Sequence, residues 1–190
     1  QPKLVALAYR GFDLVPLCVD DPDVDLGIAI NIDRPEQAGA DRLVNAVAMA
    51  AWHNLPSIVI DFGTATTLDL IGPKGSYEGG IIAPGVNLSI EALYMAAARL
   101  PRIAVKPWQT DMPVLGTDTI SAMQSGVFWG YVGMVEGLLA RLRHSYGADL
   151  PAIATGGLAP LFADHINGPI VVDADLTLKG LVRIHAQSKI

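Results

Sequence analysis

Three strand-forming runs follow one another between Ser57 and Ala83, and this meander limits the fold more than any other stretch of the chain. Ser57-Ile58-Val59-Ile60 is a short branched apolar run of the kind that fills a buried strand. It ends in Asp61-Phe62-Gly63-Thr64-Ala65-Thr66-Thr67, and a second run follows at Leu68 to Ile71. Gly72-Pro73-Lys74-Gly75 turns the chain, and Tyr77 to Ala83 returns it as a third strand through Gly79 and Gly80. After Pro84-Gly85 the pattern changes to helices and strands in alternation. A helix is predicted from about Leu88 to Arg99, ending before Pro101, and residues 102–117 form an irregular connection. A long helix capped by Thr117 or Asp118 then runs to about Tyr146. A strand at Ala152–Thr155, a Gly156-Gly157 turn, a helix at Leu158–His165, a strand at Ile170–Asp173 and a helix from Leu176 to about Gln187 complete the chain. This order predicts an α/β protein with a mixed sheet.

Upstream of the meander, Leu14–Val19 and Gly27–Ile32 read as short strands, separated by the acidic loop Asp20-Asp21-Pro22-Asp23-Val24-Asp25, which reads as a solvated loop. Leu43, Val44, Val47, Ala48 and Ala51 mark an amphipathic helix to about His53, with Asp41 at its beginning. Gly126, Gly130, Gly133 and Gly137 recur within the long helix at two spacings of four. Each costs roughly 1 kcal/mol of helix stability relative to alanine, so close backbone packing or a subunit interface is expected there.

Composition narrows the function. In 190 residues, 51% hydrophobic and 17% charged content excludes intrinsic disorder and allows one domain or two small lobes. A net charge of −6 argues against a binder dominated by nucleic-acid phosphates. Cys18 is the only cysteine, which excludes an intrachain disulfide and a multi-cysteine metal site; a reducing, cytoplasmic setting is expected. Mean hydropathy is +0.38, yet polar residues interrupt the longest uncharged stretches, 43–60 and 119–135, so no spanning helix and no membrane partner are expected. The N-terminus shows no apolar run behind a basic start.

Local chemistry points to anion handling. Gly63 would let backbone N–H groups approach an anion, with hydroxyls from Thr64, Thr66 and Thr67 alongside. Asp61, at the strand end, could hold a cation; an ordinary Gly/Thr turn is the other reading. Gly156-Gly157 behind a buried strand admits close approach of a nucleotide, or only turns the chain. Asp41 reads either as a helix N-cap or as a carboxylate kept ionised by the helix terminus and able to take a hydroxyl proton. Arg42 could bind a carboxylate or phosphate bidentately, or lie on the surface. His53, His144, His165 and His185 show no metal-ligand spacing, and Trp52, Trp108 and Trp129 read as packing residues. No serine has an evident histidine partner, which disfavours a serine nucleophile.

Seven collinear motifs resemble the type III pantothenate kinase family. They are Gly39-Ala40-Asp41-Arg42-Leu43-Val44-Asn45-Ala46, the Asp61–Thr67 stretch, Gly79-Gly80-Ile81-Ile82-Ala83-Pro84-Gly85, Ala92-Leu93 through Leu100-Pro101, Ala122-Met123-Gln124-Ser125-Gly126, Ala154-Thr155-Gly156-Gly157-Leu158-Ala159, and Asp175-Leu176-Thr177-Leu178-Lys179-Gly180-Leu181. The resemblance implies the ribonuclease-H-like fold of the acetate and sugar kinase, Hsp70 and actin superfamily. Residues 1–54 would then be the end of the first lobe with its connecting helix, and 55–190 the second lobe. It implies ATP-dependent phosphorylation of pantothenate, the first step of coenzyme A synthesis, by a cytoplasmic homodimer using Mg²⁺ and a monovalent cation, K⁺ or NH₄⁺. Gly39, Ala40, Asp41 and Arg42 would line the pantothenate pocket, with Asp41 as base. Asp61 would ligate the monovalent cation, and Gly63, Thr64, Gly156 and Gly157 would meet ATP.

Three departures from the family pattern stand out. Its Asp-x-Gly-Asn-Thr phosphate loop does not occur in this chain, which starts at Gln1, late in the first lobe. Ala97 stands where the family often has a pantothenate-contacting threonine, a loss of about 0.5–1.5 kcal/mol of binding. Ile32 stands where an aromatic residue is expected. The alternative they raise is a non-catalytic regulatory relative, as in proteins labelled Bvg accessory factor-like.

Overall fold

The computed structural model describes residues 2–13 and 15–188. Helix α1 (Pro2–Phe12) precedes an irregular segment, and α2 (Ala40–Trp52) follows a 3-10 turn at Pro35–Gln37. The meander is β1 (Ser57–Phe62), β2 (Ala65–Ile71) and β3 (Tyr77–Pro84). Then come α3 (Val86–Ala96), α4 (Thr119–Tyr146), β4 (Ala152–Thr155), the single-turn α5 (Ala159–Phe162), β5 (Ile170–Val172) and α6 (Leu176–Gln187). The strands form one mixed sheet in the order β3-β2-β1-β4-β5. The β1–β2 and β2–β3 pairs are antiparallel, whereas β1–β4 and β4–β5 are parallel.

Strand alternation sorts the side chains to two faces. Ile58, Ile60, Phe62, Leu68 and Leu70 share a core with Phe128, Val135 and Leu139 of α4 and Phe162 of α5. Val59, Ile71, Tyr77 and Ile153 pack against Leu43, Ala46 and Met49 of α2 and Leu176 of α6. Asp61, Thr67 and Asp69 have the parity of the second face, so these polar residues point toward α2, while Thr66 shares the parity of Leu68 and Leu70.

Both strands expected upstream of α2 are corrected. Leu14 lies outside the described residues, and residues 15–19 have no strand pairing. Of Gly27–Ile32, only Ile30 forms a bridge, parallel to Tyr77. Gly79, with φ +103°, departs from extended strand geometry, so the backbone ladder ends after that one pairing although Ile32 still lies against Gly79 and Asn31 donates to Glu78.

The long helix follows its start signal. Asp118 accepts from the backbone N–H groups of Ile120 (2.9 Å) and Ser121 (3.1 Å), and Ser121 Oγ accepts from the Asp118 N–H. Its glycines do not pack within the chain: a Cβ added at Gly126, Gly130 or Gly133 would meet nothing within 4 Å. The tight helix contact lies elsewhere, where α6 crosses α2. There a Cβ at Gly180 would run into the Val44 carbonyl, and the backbones touch because Gly180 has none. Trp108, Phe128, Trp129, Phe162 and His165 form a cluster of rings, with neighbouring centroids 4.9–5.9 Å apart, while Trp52 is exposed. Two tryptophans and His165 are thus packing residues. No described helix is long and apolar enough to cross a membrane.

Candidate functional site

The carboxyl ends of parallel strands open onto a crevice where α/β proteins bind ligands. Here β1 and β4 end side by side, with Asp61 in register with Thr155. Asp61 is half-buried at the mouth of the β1–β2 hairpin, which the Gly63 N–H closes onto the Ala65 carbonyl at 3.1 Å. Gly156, next in chain after β4, has φ +89°, and a Cβ there would stand 2.6 Å from Asp61 Oδ1 and 2.7 Å from the Phe62 backbone. The first Gly of the pair is therefore required by both conformation and space, while Gly157 is exposed with nothing within 4 Å. Thr64 is exposed at the hairpin tip, its carbonyl lying where a Cβ of Gly85 would be.

Helix α2 supplies the second group of residues. Its N-cap is Gly39, with Ala40 as its first residue, so Asp41 is not the cap. The Asp41 side chain nevertheless turns back onto the helix terminus, accepting the Arg42 N–H at 2.9 Å. A Cβ on Gly39 would lie 2.7 Å from Asp41 Oδ1, so the glycine leaves that carboxylate its room. One turn on, buried Asn45 donates from Nδ2 to Asp61 Oδ2 at 3.2 Å, and its Oδ1 accepts from Thr177 of α6 at 2.7 Å. The amide of Asn45 is thereby oriented from α6 and ties α2 to the end of β1.

Burial raises the Asp61 pKa above the ordinary carboxylate value, opposed by the Asn45 hydrogen bond and reinforced by the charges of Asp41 and Asp69. The influence of Asp41 on Asp61 puts the two carboxylates in one electrostatic field. A carboxylate oxygen with a glycine-lined approach suits a hard cation, because Oδ1 is bordered by Gly63 and Gly156 rather than by side chains.

Arg42 lies half-buried against β2. It donates from Nε (2.9 Å) and Nη2 (2.5 Å) to Asp69 Oδ1, with Tyr77 Oη donating to the same oxygen at 3.0 Å and Thr67 Oγ1 to Oδ2 at 3.0 Å. Burial works against the charged guanidinium, but the hydrogen bonds and charge of Asp69 outweigh it and raise the Arg42 pKa. Burial and the Asp69 charge likewise raise the Tyr77 phenol. Arg42 and Tyr77 line a pocket of about 490 Å³ together with Arg34, Gln37, Gly79 and Gly80.

The expected site residues therefore divide. Gly39, Ala40, Asp41, Arg42, Asp61, Gly63, Thr64 and Gly156 gather around the start of α2 and the ends of β1 and β4. Ala97 lies at the C-cap of α3, on a different element from the others. Asn45, Asp69 and Thr177 escaped the sequence reading. Asn45 and Asp69 carried a signal, being polar residues inside apolar runs that end up buried. Thr177 stood only as part of the Asp175–Leu181 motif, and its role was not legible because its partner lies 132 positions away. Cys18, Asp20 and Asp21 place ligand atoms within 4.8 Å of one another, with both aspartates exposed, consistent with a solvated loop.

Fold and site together define an α/β protein with a glycine-lined opening at the ends of its parallel strands, beside two carboxylates. Comparison with known proteins gives the family. The type III pantothenate kinase family model matches residues 1–141. The type III pantothenate kinase of Paramagnetospirillum magneticum is 55% identical over 97% of this chain and 70% of its own length. That of Rhodospirillum rubrum is 54% identical over 98% of the chain and 72% of its own length. This chain belongs to the type III pantothenate kinase family. Its fold is also similar to the crystal structure of a Campylobacter jejuni protein described as a Baf family transcriptional activator, with TM-score 0.60 and 20% identity over 84% of this chain and 69% of that one.

Proposed function

We propose that the protein phosphorylates pantothenate with ATP, the first step of coenzyme A synthesis, and does so in the cytoplasm. The observation that carries this reading is the convergence of Asp41, Asp61, Gly63 and Gly156 at one strand-end crevice, each on a stretch that matches the family. We also read the sheet, with its antiparallel β1–β2–β3 and parallel β4 and β5, as a ribonuclease-H-like lobe. On this reading residues 55–190 are the second lobe and 1–54 the end of the first, with α2 riding on the second through α6.

The residues have distinct tasks. Asp41, its carboxylate placed at the α2 terminus by the Arg42 N–H, accepts the proton of the primary hydroxyl as that oxygen attacks the γ-phosphorus. The Gly63 backbone and the Thr64 hydroxyl meet the phosphate oxygens, and Gly156 and Gly157 give the nucleotide a surface without side chains. Arg42, next to Asp41, binds the acidic end of pantothenate. Asp61 would hold K⁺ or NH₄⁺, and Mg²⁺ would arrive with the nucleotide; both cations offset charge on the transferred group. The exposed glycine face of α4 is the reading's homodimer contact, and the Ala97 region would belong to that face.

The test is pantothenate-dependent ADP release with Mg²⁺, comparing K⁺ with Na⁺, on protein expressed from its natural start codon. Activity that needs K⁺ and falls by about 10²-fold or more in Asp41→Asn supports the reaction and the role of Asp41. The melting temperature of that variant should stay near the wild type, since an amide oxygen still accepts the Arg42 N–H. A folded, inactive wild type would move the reading to a regulatory relative.

A further inference from the structure

We propose that Asp69 is the positioning residue of the substrate pocket: it fixes the Arg42 guanidinium so that the far edge of that group faces the acidic end of the substrate. The inference rests on the pantothenate reading above and adds a residue that lies on β2, outside every stretch that points to the ligand.

The geometry is specific. Arg42 uses Nε and the neighbouring proton of Nη2 on Asp69, both to Oδ1. A guanidinium has five N–H donors in a planar fork, so the Nη1–Nη2 edge remains free for a second, bidentate partner. Nη1 has no hydrogen-bond partner among the described residues, and Arg42 lines the 490 Å³ pocket. Asp69 itself is fully buried and cannot meet a ligand. Each of its oxygens is occupied: Oδ1 takes Arg42 and Tyr77 Oη, and Oδ2 takes Thr67. A carboxylate fixed from two strands in this way holds its partner more firmly than a surface ion pair would.

Two further features fit an aimed arginine better than an incidental salt bridge. The guanidinium carbon stands 5.5 Å from the centroid of the Tyr77 ring, which limits the tilt of the plane. Opposite Asp69 in the β2–β3 register stands Gly80. A Cβ there would collide with the Asp69 carboxylate and come within 2.7 Å of Arg42 Nη2. The second glycine of Gly79-Gly80 therefore clears the lane through which Arg42 reaches across β2. That gives a reason for glycine inside a strand, where it weakens pairing.

The experiment is steady-state kinetics on Asp69→Asn with two acceptors, pantothenate and its uncharged primary amide. The substitution keeps the shape of the side chain but removes its charge, so Arg42 keeps at most hydrogen bonds to a neutral amide oxygen and is held less firmly. The expected result is a KM for pantothenate at least tenfold higher with kcat within twofold, and a KM for the amide changed less than twofold. Tyr77→Phe, which deletes one of the hydrogen bonds to Asp69 and no charge, should raise the pantothenate KM two- to threefold with the same selectivity. It decides the matter if Asp69→Asn does not fold. Equal effects on both acceptors, or a loss confined to kcat, would overturn the proposal. If the wild type does not phosphorylate pantothenate at all, the substrate reading falls separately. Nitrogen-15 spectra of the Arg42 side chain then judge Asp69: hindered guanidinium rotation in the wild type that is freed in the variant sustains its role, and equal mobility in both refutes it.

Discussion

At the scale of single residues, the site keeps a carboxylate in a place that disfavours its charge. Asp61 is raised above the ordinary carboxylate value mainly by burial, with the like charges of Asp41 and Asp69 adding to it. A carboxyl raised in the folded state binds its proton more tightly folded than unfolded. Its ionised form therefore costs stability at neutral pH, and that cost disappears as pH falls through its folded value. Asp61→Asn, measured without K⁺ or NH₄⁺, should consequently raise stability by roughly 0.5–2 kcal/mol, or about 2–4 °C in melting temperature per kcal/mol. The same substitution should remove the K⁺ dependence of ADP release. A variant that melts lower than the wild type would show that the Asn45 hydrogen bond, rather than burial, governs this carboxylate.

At the scale of elements, α2 carries the site and is clamped at both ends. Its start is fixed by Arg42 on Asp69. Just past its end, the C-cap His53 meets Asp173 at 3.0 Å between Nε2 and Oδ2, and Lys179 of α6 donates to both Asp173 oxygens at 2.9 and 2.7 Å. Burial opposes the charge on Asp173, but the hydrogen bonds from Lys179 and His53 outweigh it, so its pKa is lowered. The sign is the reverse of that for Asp61: this stabilisation is fully present above the ordinary carboxylate value and is lost as pH falls through the lower, folded one. Asp173→Asn should thus cost roughly 1–2 kcal/mol at pH 7, discounted for the half-exposed Lys179. Thermal melts should show the gap between variant and wild type closing as pH drops below about 4; a gap independent of pH would mean that packing, not charge, is lost. Elements of this kind were largely legible in the sequence. Local signals such as the Asp118 cap and the branched run at Ser57 fixed a helix and a strand from nearby residues, while the helix expected to reach Arg99 ends at Ala96, short of Pro101. Pairing over distance was not legible: of Gly27–Ile32 only Ile30 pairs, because the positive φ of Gly79 interrupts the ladder, and Asp69 and Thr177 matter through partners 27 and 132 positions away.

At the scale of the whole molecule, the glycines of α4 pose a physical problem. Gly126, Gly130 and Gly133 weaken a 28-residue helix by roughly 1 kcal/mol each, and among the described residues nothing lies within 4 Å of a Cβ placed on any of them. Gly126 and Gly130 border a groove of about 720 Å³ between α3 and α4, lined by Leu93, Leu100, Met123, Val127 and Met134. A helix that is weakened without gaining an internal contact is accounted for if a second copy packs there, which is the homodimer proposed above. The two effects of Gly130→Leu then have opposite signs. Leucine is the better helix former and a Cβ at this position meets nothing within 4 Å, so the isolated protomer should be as stable as the wild type or more so, by up to about 1 kcal/mol. A partner backbone seated on the glycines would meet the new side chain, so association should weaken. Sedimentation equilibrium should show dimer dissociating at concentrations where the wild type stays associated, with circular dichroism and melting at low concentration no worse than wild type. An unchanged dimer would move the interface away from this face, and the α4 glycines would then need another explanation.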